Sequence, residues 1–181
     1  MKEITCQEIT KTLKTMCIEA ATDLPKDVYQ QLHQKHDEED SLLAKKTLQV
    51  LIDNANLARE KQMPICQDTG MACVFVDIGQ DVHITGGSLE EAINEGVRQG
   101  YAEGFLRKSV VKDPIHRVNT NDNTPALIYY NMVPGDKVKI TVAPKGFGSE
   151  NMSQIKMLKP SDGLQGVKDF VMKVVNDAGP N

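Results

Sequence analysis

Pro64-Ile65-Cys66-Gln67-Asp68-Thr69-Gly70, followed at once by Met71-Ala72-Cys73-Val74-Phe75-Val76-Asp77-Ile78, stands between a long amphipathic helical stretch and a β-rich run. The heptapeptide therefore reads as a turn joining a helix to a strand. It sets a thiol, an amide and a carboxylate side by side. Loops held by a rigid scaffold are where binding groups concentrate. A cysteine there can be a soft metal ligand, and its polar neighbours can hold a small oxyanion.

Upstream, Leu42 to about Lys61 repeats apolar groups at Ala44, Leu48, Leu51, Ile52, Ala55 and Ala58 behind an Asp40-Ser41 cap, a strong helical signal. Residues 4–21 carry a similar pattern at Ile4, Ile9, Leu13, Cys17 and Ala20/Ala21, and Leu24-Pro25 divides them from a polar helix ending near Glu39. Downstream, Ala72 to Ile78 reads as a buried strand closed by Gly79, and Ile84 to Gly87 as a turn or short strand. Ser88-Leu89-Glu90-Glu91 is a capping-box pattern opening a helix to about Glu103. Gly104 to Thr124 is polar and irregular, an unusual length unless it binds something. Ala126 to Val133 and the alternating Lys137 to Val142 flank the turn Pro134-Gly135-Asp136 and predict a hairpin. A final helix spans Asp162 or Gly163 to about Asp177, with Ala178-Gly179-Pro180-Asn181 as its exit. These elements predict a single α+β domain over residues 1–181. Helices over 1–62 pack with a small mixed or antiparallel sheet in an α+β portion over 63–181.

Composition narrows the function. With 40% hydrophobic and 25% charged residues, the 181-residue chain is of ordinary globular type. A net charge of −4 carries no electrostatic footprint for nucleic acid. No apolar run approaches the ~20 residues of a membrane span, and the N-terminus lacks the apolar core of an export signal. Cys6, Cys17, Cys66 and Cys73 form no Cys-x-x-Cys pair, which excludes a zinc ribbon and a secreted disulfide framework. A reducing cytoplasm is the expected compartment.

Each candidate group also has a plain reading. Cys66 is evenly a ligand or a small buried hydrophobe, whereas Cys6, Cys17 and Cys73 read as structural. Asp68 and Thr69 can cap their own turn. Arg107 and Lys108 can be a solvated helix end, and the run Asn119 to Thr124 a flexible turn. Gly146-Phe147-Gly148-Ser149 lacks the ending of a Walker loop. Glycine there permits close backbone approach or positive φ.

Three segments in order go beyond such patterns: Pro64 to Gly70; Leu106-Arg107-Lys108-Ser109-Val110-Val111 with Arg117 and Asn119-Thr120-Asn121-Asp122-Asn123-Thr124-Pro125-Ala126; and Lys145-Gly146-Phe147-Gly148-Ser149-Glu150-Asn151-Met152-Ser153. Together they resemble the α subunit, or N-terminal region, of class I iron–sulfur fumarate hydratases and the related L-tartrate dehydratases. The resemblance runs from about Leu42 to the C-terminus. It implies that Cys66 is one of three cysteine ligands of a 4Fe-4S cluster whose open iron binds substrate. It implies that Gln67 and Asp68 contact a C4 dicarboxylate, that Asp68 shares in proton handling, and that Arg107 pairs with a substrate carboxylate. Gly146 and Gly148 would line the same site. The implied reaction is reversible hydration of fumarate to L-malate, as in the tricarboxylic acid cycle, with the iron acting as Lewis acid. A β subunit or C-terminal domain would complete the site.

The family's other two cluster cysteines lie downstream of the position matching Asn181, and Cys6, Cys17 and Cys73 match no ligand. One thiolate cannot hold such a cluster. The expectation is an α-subunit fragment, incomplete at its C-terminus, which alone carries neither cluster nor hydratase activity. Surface meant for the missing part favours a homo-oligomer. The alternatives are an L-tartrate dehydratase α subunit and a noncatalytic partner-binding domain.

Overall fold

A computed structural model describes residues 2–179, so Pro180 and Asn181 of the expected helix exit lie outside the described residues. The chain divides into two compact units, residues 1–145 and 146–181. In the first, β1 (Lys2–Thr5), α1 (Cys6–Thr22), α2 (Lys26–Glu38) and α3 (Leu42–Lys61) precede β2 (Met71–Gly79), β3 (Val82–Thr85), α4 (Leu89–Glu103), β4 (Leu127–Val133) and β5 (Val138–Lys145). The second holds two short 3-10 helices, Ser149–Met152 and Pro160–Asp162, and α5 (Gly163–Ala178). The α+β class is as expected, and the main sheet is mixed.

The first unit is a helical layer on one face of that sheet. Ala72, Val74 and Val76 of β2 point into the core beside Ile128, Ile140 and Val142, opposite Ile9, Leu13 and Cys17 of α1 and Ile93 and Val97 of α4. Close approach of α1 and α4 depends on a row of small residues four apart, Ala92, Gly96, Gly100 and Gly104. A Cβ on Gly96 would sit 2.7 Å from Leu13 Cβ, and one on Gly100 2.8 Å from Cys17 Cβ. The other sheet face is open: Phe75 stacks on Tyr129 with ring centroids 5.0 Å apart, and both are exposed. β2 is thus buried on one face, not on both as its apolar run suggests.

Two expectations are corrected. The helical pattern from residue 4 includes a strand: Lys2–Thr5 pairs in parallel with Val82–Thr85. Helix α1 starts only at Cys6, where Thr5 and Glu8 form a reciprocal capping box. Ile4 is apolar in either state, so periodicity alone assigned it to the helix. The expected hairpin does not form either, because the strand order is β4-β2-β5. β2 runs parallel to β4 and antiparallel to β5, with Val74 opposite both Ile128 and Val142. As the most buried strand it takes the centre. Gly79 approaches Gly135 so closely that any Cβ would collide with that carbonyl. The irregular stretch 104–124 remains irregular, with one isolated bridge, Val111 to Asn119.

Candidate functional site

The heptapeptide is pinned at both ends and free in the middle. Ile65 N–H donates to Ala21 O at 2.9 Å, and Asn54 Nδ2 donates to Ile65 O at 2.9 Å, so α1 and α3 fix its start. Thr69 and Gly70 are buried at its end. Between them Cys66, Gln67 and Asp68 stand exposed. Asp68 Oδ1 accepts from Gly70 N–H at 3.1 Å, the local turn bond an aspartate favours here. Among the described residues that is the only hydrogen bond of its carboxylate, so its second oxygen is left for solvent or a ligand.

Thr69 joins this loop to the next. Its Oγ1 donates to Arg107 O at 2.9 Å, and its carbonyl accepts from the buried Tyr101 hydroxyl at 2.7 Å. Arg107 therefore leaves α4 beside the heptapeptide. Its side chain is exposed, and among the described residues its guanidinium has no ion-pair or hydrogen-bond partner. Burial, foremost, with the neighbouring Cys17 and Cys73 thiols and Asp68, pushes the Tyr101 phenol above its usual range, so it stays a donor.

The polar run 119–124, which reads as a flexible turn, contains a buried fastener. Asn123 is 0% exposed. Its Oδ1 accepts from Ser109 N–H at 2.7 Å and Val110 N–H at 3.2 Å, and its Nδ2 donates to Gly70 O at 3.0 Å. Asn119 Nδ2 adds a bond to Lys108 O at 2.9 Å. Asn123 holds φ +62, a region asparagine tolerates better than most residues. That tolerance is the one local signal for its role; the burial that makes it matter is tertiary. Beside it, Asp122 accepts from Thr124 N–H at 3.0 Å, Thr124 Oγ1 at 2.8 Å and Arg98 Nε at 3.1 Å. Partial burial acts to raise its pKa, but those bonds outweigh it and hold the carboxyl at about 2.

Cys66, Asp68 and Thr69 line one cleft of about 190 Å³ with Ala20, Ala21 and Pro144. A larger cleft of about 680 Å³ lies along α4, but its lining sets Glu90, Glu91 and Glu95 against the single cation Arg98, which disfavours a dianion. The smaller one, bearing the thiol and carboxylate, is the better candidate. Cys6 and Cys17 are buried in the core, the Cys17 thiol pushed up to about 12 by burial, and Cys73 is half-buried on β2. Among the described residues no three His, Cys, Asp or Glu side chains converge to hold a metal ion. The donor set present does not fit a cluster needing three cysteines; Cys66 is the one exposed thiol. Gly146 and Gly148 belong to the second unit. Gly148 has right-handed helical backbone and open space where a Cβ would stand, so positive φ does not explain it.

Residues 10–181 match a family model described as fumarate hydratase (Fumerase). The match begins well before Leu42 and takes in most of α1. A protein of Methanocaldococcus jannaschii, provisionally named L(+)-tartrate dehydratase subunit alpha, is 41% identical over 167 residues, covering 89% of this chain and 58% of that protein. The L(+)-tartrate dehydratase subunit alpha of Escherichia coli strain UTI89 is 29% identical, and that of strain K12 28%, each over 184 residues covering 99% of this chain and 60% of the relative. The chain thus spans about three-fifths of the length of these relatives. With the loop of Cys66 and the loop of Arg107 joined through Thr69, and a family match over nearly its whole length, the chain belongs to the fumarate hydratase family.

Proposed function

We propose that this chain supplies part of the active site of an iron–sulfur hydro-lyase that adds water to, or removes it from, a C4 dicarboxylate. The observation that carries this reading is the bond from Thr69 Oγ1 to Arg107 O. It ties the backbone of Arg107, whose exposed guanidinium has no partner among the described residues, to the loop that exposes Cys66, Gln67 and Asp68. A planar guanidinium pairs a carboxylate through two parallel hydrogen bonds. In this reading Arg107 binds one substrate carboxylate, Gln67 and Asp68 orient the four-carbon chain, and the free oxygen of Asp68 shares in moving the proton at the carbon adjacent to the hydroxyl-bearing one, beside the far carboxylate. Cys66 is one thiolate ligand of a 4Fe-4S cluster whose other ligands come from outside the described residues.

The completing partner in this proposal is a β subunit or C-terminal domain. Exposed Leu43, Val50 and Leu57, seven residues apart on α3, offer a surface for it or for a second copy of the chain. The free thiols suit a cytoplasmic location. No helix among the described residues is long and apolar enough to cross a membrane.

Fumarate, as in the tricarboxylic acid cycle, is the first substrate reading. L(+)-tartrate is the second, favoured by the names of the relatives. Both are decided by coexpressing this chain with its completing partner and measuring fumarate hydration and L(+)-tartrate dehydration side by side. Turnover lost in Arg107→Ala and in Cys66→Ser is the expected result. Turnover of neither dicarboxylate would leave the reading of a noncatalytic partner-binding domain. For the isolated chain, anaerobic reconstitution with iron and sulfide should yield no stoichiometric cluster. A brown absorbance band with four irons per chain would overturn that expectation.

A further inference from the structure

The Asn123 carboxamide lies between the two loops of the candidate site and uses three of its hydrogen-bonding positions on their backbones. Gly70 O, at the end of the heptapeptide, accepts from it; Ser109 and Val110 N–H, two and three residues past Arg107, donate to it. A second strap runs beside the first, Thr69 Oγ1 to Arg107 O. On the other side of Arg107 the chain leaves α4 through a left-handed turn closed by Leu106 N–H donating to Tyr101 O at 3.0 Å. Phe105 is 91% exposed yet adopts φ +52, which a bulky side chain does not choose for itself. Both side chains are buried, Thr69 at the edge of the cleft and Asn123 away from it, and the Thr69 hydroxyl and the Asn123 amide spend their bonds on backbone.

We propose that Asn123, seconded by Thr69, is a positioning residue that sets the spacing between the loop of Cys66, Gln67 and Asp68 and the guanidinium of Arg107. This rests on reading those four residues as one dicarboxylate site. A small dianion gripped from two loops is sensitive to that spacing, because displacement of about 1 Å at a reacting centre costs roughly a hundredfold in rate. Asn123 acts through the backbone and touches no substrate atom.

The test uses this chain assembled with its completing partner, with kcat and KM measured for fumarate and L(+)-tartrate, beside hydrogen exchange and thermal melting of the chain itself. Asn123→Asp keeps the acceptor for Ser109 and Val110 and removes the donor to Gly70. Thr69→Val removes the hydroxyl strap, and Thr69→Ser restores it. Assays run well below each melting midpoint, so a folded variant is compared with a folded parent. The expected result is at least a tenfold fall in kcat/KM for Asn123→Asp and Thr69→Val, recovery to within threefold in Thr69→Ser, and exchange of the Ser109 and Val110 amides faster than in the parent. Should Asn123→Asp not fold, the Thr69 pair carries the comparison alone. Folded variants with lower melting points but kcat/KM within twofold of the parent would overturn the proposal while Arg107→Ala abolishes turnover. If Arg107→Ala also leaves turnover intact, the site reading itself fails, which is a different result.

Discussion

The hydroxyl of Tyr101, on the last turn of α4, donates to the carbonyl of Thr69 at 2.7 Å inside the core. Tyr101 is 1% exposed, and Thr69 is buried as well. Through this bond a helix of the scaffold holds a loop whose preceding three side chains face solvent.

Tyr101→Phe leaves the Thr69 carbonyl buried without a donor. An orphaned buried polar group costs about 1–3 kcal/mol, and urea denaturation should show a loss in that range with an unchanged slope. The parent should also lose stability above pH ~10, where unfolded tyrosine ionises. The folded phenol is held protonated by burial, so unfolding releases its proton and rising pH favours it. Tyr101→Phe removes this part of the alkaline slope; a slope unchanged by the substitution would disprove the assignment.

Asp122 works in the opposite direction. Its folded pKa of about 2 lies below the unfolded value, so its contribution is present above pH ~4 and is lost as pH falls from ~4 toward 2. Asp122→Asn should lower stability at pH 7 and flatten the acid limb between those values. Melting midpoints taken every half pH unit from 2 to 7 on both proteins make the comparison.

Gly96→Ala tests the packing of α1 on α4. In an exposed helix this change is favourable by about 1 kcal/mol. Here the new methyl meets Leu13 Cβ at 2.7 Å and Thr10 O at 2.8 Å, with backbone on one side. Overpacking of this kind costs about 1–3 kcal/mol or more, so the net effect should be destabilising by calorimetry. A raised melting temperature would mean the two helices part without cost.

The four thiols should separate by access. Cys66 is exposed and should react with iodoacetamide in the native chain. Cys6 and Cys17 should react only after unfolding, Cys17 being both buried and held protonated. Mass spectrometry of the native chain after brief labelling should find a first adduct on Cys66. Cys66→Ser should change stability by less than about 0.5 kcal/mol, as an exposed substitution does. A first adduct on Cys17 would contradict the core described here.

Local pattern carried much of this molecule. The apolar spacing and Ser41 cap placed α3 at Leu42–Lys61, Ser88 opened α4, and alternation along Val138, Ile140 and Val142 marked the face of β5 turned to the core. The heptapeptide was legible as a loop because Gln67, Asp68 and Thr69 interrupt apolar periodicity between a helix and a strand. These are signals of neighbouring residues, and neighbours are what periodicity and capping report.

What the sequence by itself determined is therefore most of the elements and their apolar faces. Tertiary structure alone decided their arrangement. Lys2–Thr5 becomes a strand because Val82–Thr85 arrives to pair with it, and β2 separates β4 from β5 because its ladder is satisfied on both edges. Asn123 sits in a polar run that looks solvated until Gly70 and Ser109 close around it. Each of these depends on groups brought together across long loops. A side chain's pattern states which face it prefers, but its hydrogen-bond partners are fixed only when burial removes water as the alternative.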